Sequence, residues 1–498
     1  MIERIDVDGV PGVHVRRPGP LTVSLSFRVG TADENLPQRG LTHLVEHLAL
    51  HPVGLTDYHA NGHTGAAATT FHVSGTDERV QQFLTTVCAA LTSLPLDRLE
   101  MERGVVMTEE SRRGGASDMA LWRHGATGYG TSSYPEWGVP RVQPEELESW
   151  ADSWFTRGNA VICVLGDLPP GIVLPLRSGQ RMPLPPLTST VPTMPAYYSS
   201  GRGSAAFDSI VTRSTAASFF ARCLESDLFE RLRGSAGLSY AVHAAYDAFD
   251  AHRAGLAVHA DCLEESEGAL VGELIDALAS VAECGISAET LEAVRRRAAE
   301  SFAHPDFDAA RLPSTAYDLL VGRPDLFQVE DLVAQAESVT VEDLDRVADE
   351  ARATMLLRVP SSTVADWAGF HAAPLVSEAE IAGERYPSLD DSGQALVVGS
   401  DGVSWVLEAG PVTVRYDEVV AALTWPDGAI HLIGPDSMTA RIEPTIHDLP
   451  DGLLDNVRDR LPADVLVMLP ARDPAAIPQR TQRADPPTRP RLWRRRRA

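Results

Sequence analysis

The amino-acid sequence predicts an α+β protein with two related domains, each an antiparallel sheet packed against helices, followed by a smaller β-rich module. Three observations support this fold class. Predicted strands and helices are mixed irregularly, without the repeated β-α-β order of a doubly wound sheet. The pattern of the first half recurs in the second half, which indicates a duplication. Residues 390–470 instead contain short predicted strands separated by turn signals such as Trp425-Pro426-Asp427-Gly428.

The composition is that of a globular protein. The chain has 498 residues, enough for roughly three domains. Its net charge of −26 argues against nucleic acid as a partner, and its five cysteines follow no disulfide or metal-binding pattern. The first residues show no signal peptide, and no apolar run is long enough to span a bilayer. We therefore expect a cytoplasmic protein.

The first predicted domain covers residues 1–182. It begins with an alternating strand at 21–29 and a helix that starts near Gly40 and ends near Pro52. The later elements are a strand ending at residue 73, an amphipathic helix over 80–91, a helix over 99–112 and an apolar strand over 160–167.

The second predicted domain covers residues 196–375 and follows a linker at 183–195 that holds five prolines. Its strand at 256–261 and the helix after it repeat the strand and helix at 71–91. Leu291-Glu292 matches Leu99-Glu100, and this register places Ser301 opposite Glu109.

His43-Leu44-Val45-Glu46-His47 is the main candidate for chemistry. The two histidines are four residues apart and project from one face of a helix. Both imidazoles can then reach one metal ion, and Zn²⁺ is the usual ion for such a pair. Glu46 adjoins His47 and is placed to take a proton from a water on the metal. The motif predicts metal-assisted peptide hydrolysis, and a solvated helix face without metal is the alternative.

A catalytic zinc site needs a third protein ligand. Glu102 and Glu109 are seven residues apart on one helix face, so either could be the ligand while the other supports it. His51 continues the stripe of His43 and His47, but it lies about 12 Å from His43 along the helix axis. We expect His51 to be exposed or to act as a cation at the end of the helix.

These motifs resemble those of the inverzincin zinc metallopeptidases, the family of insulin-degrading enzyme, pitrilysin and the mitochondrial processing peptidase. Residues 102–109 fit the family's second motif position by position, although their interval from His47 is shorter than usual. The resemblance implies two insulinase-like domains and one Zn²⁺ per chain. It assigns the following roles: His43, His47 and Glu109 as metal ligands, Glu46 as general base, Glu102 as the supporting carboxylate, and Glu110 as a solvent-facing residue.

The segment Leu228–Tyr240 resembles a further family motif, in which an arginine and a tyrosine stabilise the oxyanion. In this sequence the matching residues are Arg233 and Tyr240. The alternative is that Arg233 is an ordinary surface residue and Tyr240 an ordinary core residue. The resemblance also implies that an extended peptide substrate pairs with a strand edge, at Asn61 and residues 62–71. Two domains per chain imply a homodimer, or a heterodimer with a related subunit, in which the zinc site faces the Arg–Tyr pair of the other subunit.

The C-terminal part has a different character. Residues 390–470 combine several strands with one helix near Asp451, a pattern similar to a pleckstrin-homology-like barrel. Residues 471–498 are rich in Pro and Arg and are expected to be disordered. Their arginines could contact an anionic membrane surface, but a solvated tail is the favoured interpretation.

The predicted function is a zinc-dependent endopeptidase that hydrolyses peptides or unfolded protein segments. One alternative is a catalytically silent partner or scaffold subunit that kept the fold. Another is an adaptor whose main function is the docking of its C-terminal module to a lipid or a protein. Metal analysis would separate the first alternative from the prediction, and liposome flotation with and without residues 471–498 would test the second.

Overall fold

The computed structural model describes residues 1–54, 59–112, 118–235, 237–390 and 392–480. The chain divides into two units, Met1–Pro374 and Leu375–Ala498. Among the described residues, no helix combines the length and the apolar character needed to cross a membrane.

A six-stranded sheet organises the first half of the first unit. Alternate residues of its central strand are buried, which is the period that a strand with one face on the core requires. The strands are β1 (Glu3–Val7), β2 (Val10–Val15), β3 (Leu21–Phe27), β4 (Ala60–Thr64), β5 (Thr69–Gly75) and β6 (Ala160–Leu165), in the order β1-β2-β6-β3-β5-β4. The helices are α1 (Leu41–Leu50), α2 (Asp77–Thr92), α3 (Leu99–Arg112), α4 (Asp118–His124) and α5 (Pro144–Trp154).

A second six-stranded sheet organises the other half of this unit. Its strands are β7 (Ala196–Ser199), β8 (Ser204–Thr212), β9 (Val242–Ala248), β10 (Arg253–Asp261), β11 (Leu356–Val359) and β12 (His371–Ala372), in the order β12-β7-β11-β8-β10-β9. Its helices are α6 (Thr215–Phe229), α7 (Glu267–Cys284), α8 (Ala288–Phe302), α9 (Phe307–Leu320), α10 (Val329–Ser338) and α11 (Val341–Ala353).

The two sheets share one topology. Five strands of one sheet correspond in order to five strands of the other: β2-β6-β3-β5-β4 to β7-β11-β8-β10-β9. In both series the first pair is parallel and the following pairs are antiparallel. α1 follows β3 as α6 follows β8, and α2 follows β5 as α7 follows β10. The predicted α+β fold class and its duplication are therefore confirmed. The sheets are mixed rather than purely antiparallel, because each contains a parallel pair.

The two halves also share a hydrophobic core. Leu312, Ala316 and Leu320 of α9 are buried in one cluster with Val13 of β2 and Val161 of β6. Because α9 belongs to the second half and both strands belong to the first, this core joins the two copies of the fold.

Arg123 of α4 makes a second connection between the halves. Its side chain is 1% exposed. Nε donates to Oδ2 of Asp208 on β8 at 2.6 Å, and Nη2 donates to Oδ1 at 2.7 Å. Nη2 also donates to the carbonyl oxygen of Thr354 at 2.8 Å. A bidentate pair of this kind fixes the direction of approach as well as adding attraction.

The second unit is β-rich, as the sequence predicts. One sheet contains β13 (Gly383–Pro387), β14 (Ala395–Gly399), β15 (Gly402–Leu407) and β16 (Gly410–Arg415) in that order. The other contains β17 (Ala421–Thr424), β18 (Ile430–Ile433), β19 (Thr439–Ile442) and β20 (Leu466–Met468), in the order β19-β18-β17-β20, and helix α12 (Leu453–Arg458) precedes β20. The likeness to a pleckstrin-homology-like barrel stays a prediction.

Residues 471–480 belong to this unit, whereas the sequence assigns them to a disordered tail. Arg472 Nη2 lies 2.6 Å from Asp427 Oδ2, and Arg472 Nη1 lies 2.8 Å from Glu443 Oε1. The prediction of disorder rests on the Pro- and Arg-rich composition. Composition does not reveal that the folded unit brings two carboxylates to one arginine. The rest of the predicted tail, 481–498, lies outside the described residues.

Glu443 is the centre of this ionic cluster. Nε2 of His431 on β18 lies 2.7 Å from Oε1 of Glu443, the residue that follows β19. Burial acts to raise the pKa of Glu443, but the hydrogen bonds from His431 and Arg472 outweigh it and lower the pKa to about 2.

Candidate metal centre

A buried carboxylate sets the start of the helix that carries the H-x-x-E-H motif. Glu34 accepts hydrogen bonds from the backbone N–H groups of Gly40 at 2.9 Å and Thr42 at 2.7 Å, and from Arg39 at 3.1 Å. The first-turn amides of a helix have no partners within the helix, so a carboxylate stabilises this end. Burial raises the pKa of Glu34, and Arg39 and the amides act in the opposite direction.

His43, His47 and Glu109 converge on one point. Nε2 of His43 lies 3.6 Å from Oε2 of Glu109, and Nε2 of His47 lies 3.7 Å from the same oxygen. One ligand atom from each residue lies within 4.8 Å of the others. Zinc bond lengths of about 2.0–2.1 Å place tetrahedral ligand atoms roughly 3.4 Å apart. The donor set and its spacing therefore fit a Zn²⁺ ion.

The other ring nitrogen of each histidine faces a carboxylate. His43 Nδ1 lies 3.0 Å from Oε2 of Glu136, and His47 Nδ1 lies 3.2 Å from Oε2 of Glu102. Such contacts fix the orientation of the ring, so that Nε2 is the atom each imidazole presents toward Glu109.

Sequence reasoning missed Glu136. It lies 93 residues after His43 in a loop before α5, where no helical or strand period connects it to the motif. Its side chain is 2% exposed. Because its position depends on how the loop returns to α1, only the folded chain reveals it.

Two acidic residues of α3 near the site have partners that the sequence does not name. The carboxylate of Glu102, the predicted supporting residue, bridges His47 and His51, with His51 Nδ1 2.9 Å from Glu102 Oε1. Glu110 does not simply face solvent, because its Oε1 accepts the backbone N–H of Glu136 at 2.6 Å. In both cases the packing of α3 against its neighbours, which the sequence does not specify, decides where the carboxylate points.

Glu46 lies on the same helix, between the histidines and strand β4. Its side chain is buried, and Thr64 Oγ1 donates to its Oε2 at 2.6 Å. Gly62 leaves room for it, since a β-carbon on Gly62 would lie 2.6 Å from Glu46 Oε1. The carboxylate is therefore held by a hydroxyl on one side and by backbone on the other.

Asn61 lies on β4, which is the terminal strand of its sheet. It is exposed, and its register partner on β5 is His72. An edge strand offers backbone groups to an added strand. Asn61 directly precedes Gly62, whose backbone lies beside the Glu46 carboxylate.

Arg233 and Tyr240 lie together in the second half. The guanidinium carbon of Arg233 is 5.4 Å from the ring centre of Tyr240 and 5.1 Å from that of Phe229. Tyr240 is 79% exposed, so it is not the core tyrosine of the alternative interpretation. Their action on a substrate stays a prediction.

Comparisons with known proteins give matches by structure. No family model matches the chain, and no curated protein matches it by sequence. A protease from Helicobacter pylori matches with a TM-score of 0.59 and 16% identity, over 72% of this chain and 99% of that one. The peptidase M16 inactive domain from Pseudomonas fluorescens has the same TM-score of 0.59 and 16% identity, over 73% of this chain and 98% of its own. The ferredoxin protease FusC, solved with Arabidopsis ferredoxin, matches with a TM-score of 0.55 and 16% identity, over 86% of this chain and 56% of its own.

Proposed function

We propose that this chain, which has the fold of the insulinase-like M16 peptidases, is a zinc-dependent endopeptidase that hydrolyses peptides or unfolded protein segments. The observation that carries the proposal is the convergence of His43 Nε2, His47 Nε2 and Glu109 Oε2. A set of three protein ligands is typical of catalytic zinc sites, whereas structural zinc sites have four.

The chain's own residues have separate tasks in the proposed reaction. A zinc ion held by His43, His47 and Glu109 would supply the Lewis acidity that this hydrolysis needs. Glu46 takes the proton from the attacking water and passes it to the leaving amine. Thr64 holds one oxygen of Glu46 by its 2.6 Å hydrogen bond, which limits rotation of the carboxylate. Glu136 and Glu102 orient the two imidazoles.

The substrate would bind as an added strand on β4. Asn61 is exposed on this edge, and Gly62, one residue further, is in contact with Glu46. An extended peptide paired with β4 would therefore pass beside the general base. A folded segment does not offer such a strand, which supports peptides and unfolded segments as the substrate class.

Replacement of the general base tests the reaction. Glu46→Gln should keep zinc, because Glu46 is not a ligand, and should lose activity by a factor of about 10² to 10⁴, the usual contribution of general acid–base catalysis. Glu148→Gln, an exposed change on α5, is the matched control. Cleavage of a quenched-fluorescent peptide at the parent rate by zinc-loaded Glu46→Gln would contradict the mechanism.

The role of Arg233 and Tyr240 is proposed for a dimer, in which they donate hydrogen bonds to the oxyanion in the zinc site of the other subunit. Their exposure allows such a contact. Mixing a Glu46→Gln subunit with an Arg233→Ala subunit should restore part of the activity, because one complete site forms. A demonstrated mixed dimer with no restored activity would count against the shared site.

A catalytically silent subunit is the second candidate function. It is favoured by the likeness to a structure described as a peptidase M16 inactive domain. A silent subunit would lack stoichiometric zinc after purification without chelators, so metal analysis separates the two candidates. The cytoplasmic location stays a prediction.

A further inference from the structure

A polar cleft of about 290 Å³ lies in the second half of the first unit. It is formed by α6, α8, α9, α10, the chain between α9 and α10, and Tyr246 of β9. Four arginines line it: Arg213, Arg222, Arg311 and Arg323. Asp318 and Asp325 are the lining carboxylates among the described residues, so four positive and two negative charges give the lining a formal charge of +2. This local charge is opposite in sign to the net charge of −26 of the whole chain.

Two of these arginines are fixed by neighbouring residues. Arg213 forms an ion pair with Asp318. Arg311 Nη2 donates to Oδ1 of Asp308 at 2.9 Å and to the carbonyl oxygen of Phe327 at 2.8 Å. These pairs hold the walls of the cleft in place, and they neutralise part of the charge of both arginines.

The other two arginines keep their donors for a ligand. Within the part of the chain that the structure describes, the guanidinium groups of Arg222 and Arg323 form no hydrogen bond or ion pair. Arg323 lies over the ring of Phe327, with its guanidinium carbon 5.5 Å from the ring centre, which limits its freedom. Each guanidinium carries five N–H donors in a planar fork that matches the oxygens of phosphate or carboxylate.

The N-terminus of α6 adds to the positive potential of the cleft. Ser214 caps this helix, since its Oγ accepts the backbone N–H of Ala217 at 3.0 Å. Ser214, Thr215 and Ser218 all line the cleft. By helical spacing, Thr215, Ser218 and Arg222 share one face of α6. The Thr215 hydroxyl donates to Oε1 of Gln335 at 2.7 Å. The hydroxyls of Ser214 and Ser218 and the positive end of the helix are therefore the groups of α6 that favour an anion.

The cleft adjoins the position that corresponds to the metal centre in the second copy of the fold. Glu225 of α6 accepts the backbone N–H of Ala244 on the terminal strand β9 at 3.0 Å, much as Glu46 of α1 contacts Gly62 on the terminal strand β4. Arg222 precedes Glu225 by three residues, as His43 precedes Glu46. By this spacing, Arg222 takes the position along α6 that His43 takes along α1.

We propose that this cleft binds a small oxyanion of the phosphate class, held by Arg222, Arg323 and the start of α6. The volume lies at the lower end of ligand pockets, about 300–1,000 Å³. It suits a phosphate or pyrophosphate group, free or attached to a small molecule, and is too small for a nucleic acid strand. The guanidinium forks and hydroxyls match the several oxygens of such a group.

Titration calorimetry of the full chain with inorganic pyrophosphate, and separately with inorganic phosphate, tests the proposal at constant ionic strength. The double variant Arg222→Ala/Arg323→Ala should bind pyrophosphate more weakly by roughly tenfold for each guanidinium lost, since each makes charge-assisted hydrogen bonds. Asp325→Asn removes a negative charge from the lining and should bind more tightly. Arg346→Ala, an exposed change on α11, is the matched control and should bind like the parent.

Three outcomes would overturn the proposal. The first is no heat of binding in the parent protein. The second is binding that the double variant keeps unchanged, which would place pyrophosphate elsewhere, the metal centre included. The third is tight binding of succinate with none of pyrophosphate, which would assign the cleft to dicarboxylates. Thermal unfolding of each variant checks that it is folded. Neither Arg222 nor Arg323 forms an ion pair with a described residue, so their replacement should not unfold the protein.

Discussion

Replacing Gly62 by alanine should inactivate the proposed enzyme without removing its metal. The new β-carbon would lie 2.6 Å from Oε1 of Glu46, 2.9 Å from its Cγ and 3.0 Å from its Cδ. Ordinary non-bonded contact is about 3.5 Å, so the carboxylate must move by roughly 0.9 Å. Rotation of the carboxylate alone cannot relieve contacts to three atoms of the side chain, and the 2.6 Å hydrogen bond from Thr64 would be disturbed as well.

A displacement of about 1 Å at a catalytic group costs on the order of 10²-fold in rate. We therefore expect kcat of Gly62→Ala for a quenched-fluorescent peptide to fall about 100-fold, with zinc content unchanged. Gly104→Ala on α3 is the matched control, because no atom lies within 4 Å of its added carbon. It should keep full activity and raise the free energy of unfolding by about 1 kcal/mol through helix propensity. A zinc-loaded Gly62→Ala enzyme with parental kcat would refute the placement of Glu46 as the base.

Three further predictions concern binding and stability. Glu136→Gln should weaken zinc affinity about 10- to 100-fold, because the His43 ring loses its charged partner; competition with a chromophoric chelator measures this, and an unchanged affinity would contradict it. Arg123→Ala should lower the free energy of unfolding by about 3–5 kcal/mol, since Asp208 loses its buried partner; a urea titration that shows a loss below about 1 kcal/mol would contradict the importance of this pair. The pKa of Glu443 is lowered from 4.5 to about 2 in the folded unit, so its stabilising contribution is present above the unfolded pKa and is lost as pH falls toward 2. The thermal midpoint of the second unit should fall over that range in the parent protein and much less in Glu443→Gln; equal slopes in both proteins would count against the cluster.

The features that sequence predicts well are local ones. His43 and His47 are four residues apart, so any helix that contains them brings both imidazoles to one face. Glu109 requires only that a second helix run alongside the first. The β-rich second unit follows from short strands with turn signals. In each case the relevant atoms are placed by the geometry of a single element or by one packing contact.

The features that sequence does not predict depend on long-range packing. Glu136 reaches His43 from a loop, and Glu110 contributes to the site by holding the backbone of Glu136. Glu102 lies on the expected face of α3, but the rotation of α3 against α1 directs it to His47 and His51. The importance of Gly62 is likewise visible only when β4 lies beside Glu46. No period in the sequence encodes these contacts between separate elements.

The core that α9 shares with β2 and β6 has a thermodynamic consequence. Leu312, Ala316 and Leu320 lose their burial if the first half unfolds, and Val13 and Val161 lose theirs if the second half unfolds. The two copies should therefore melt in one transition, and a ligand that binds either copy raises the melting temperature of both. Removal of a metal from the first copy would then lower the melting temperature of the second copy as well.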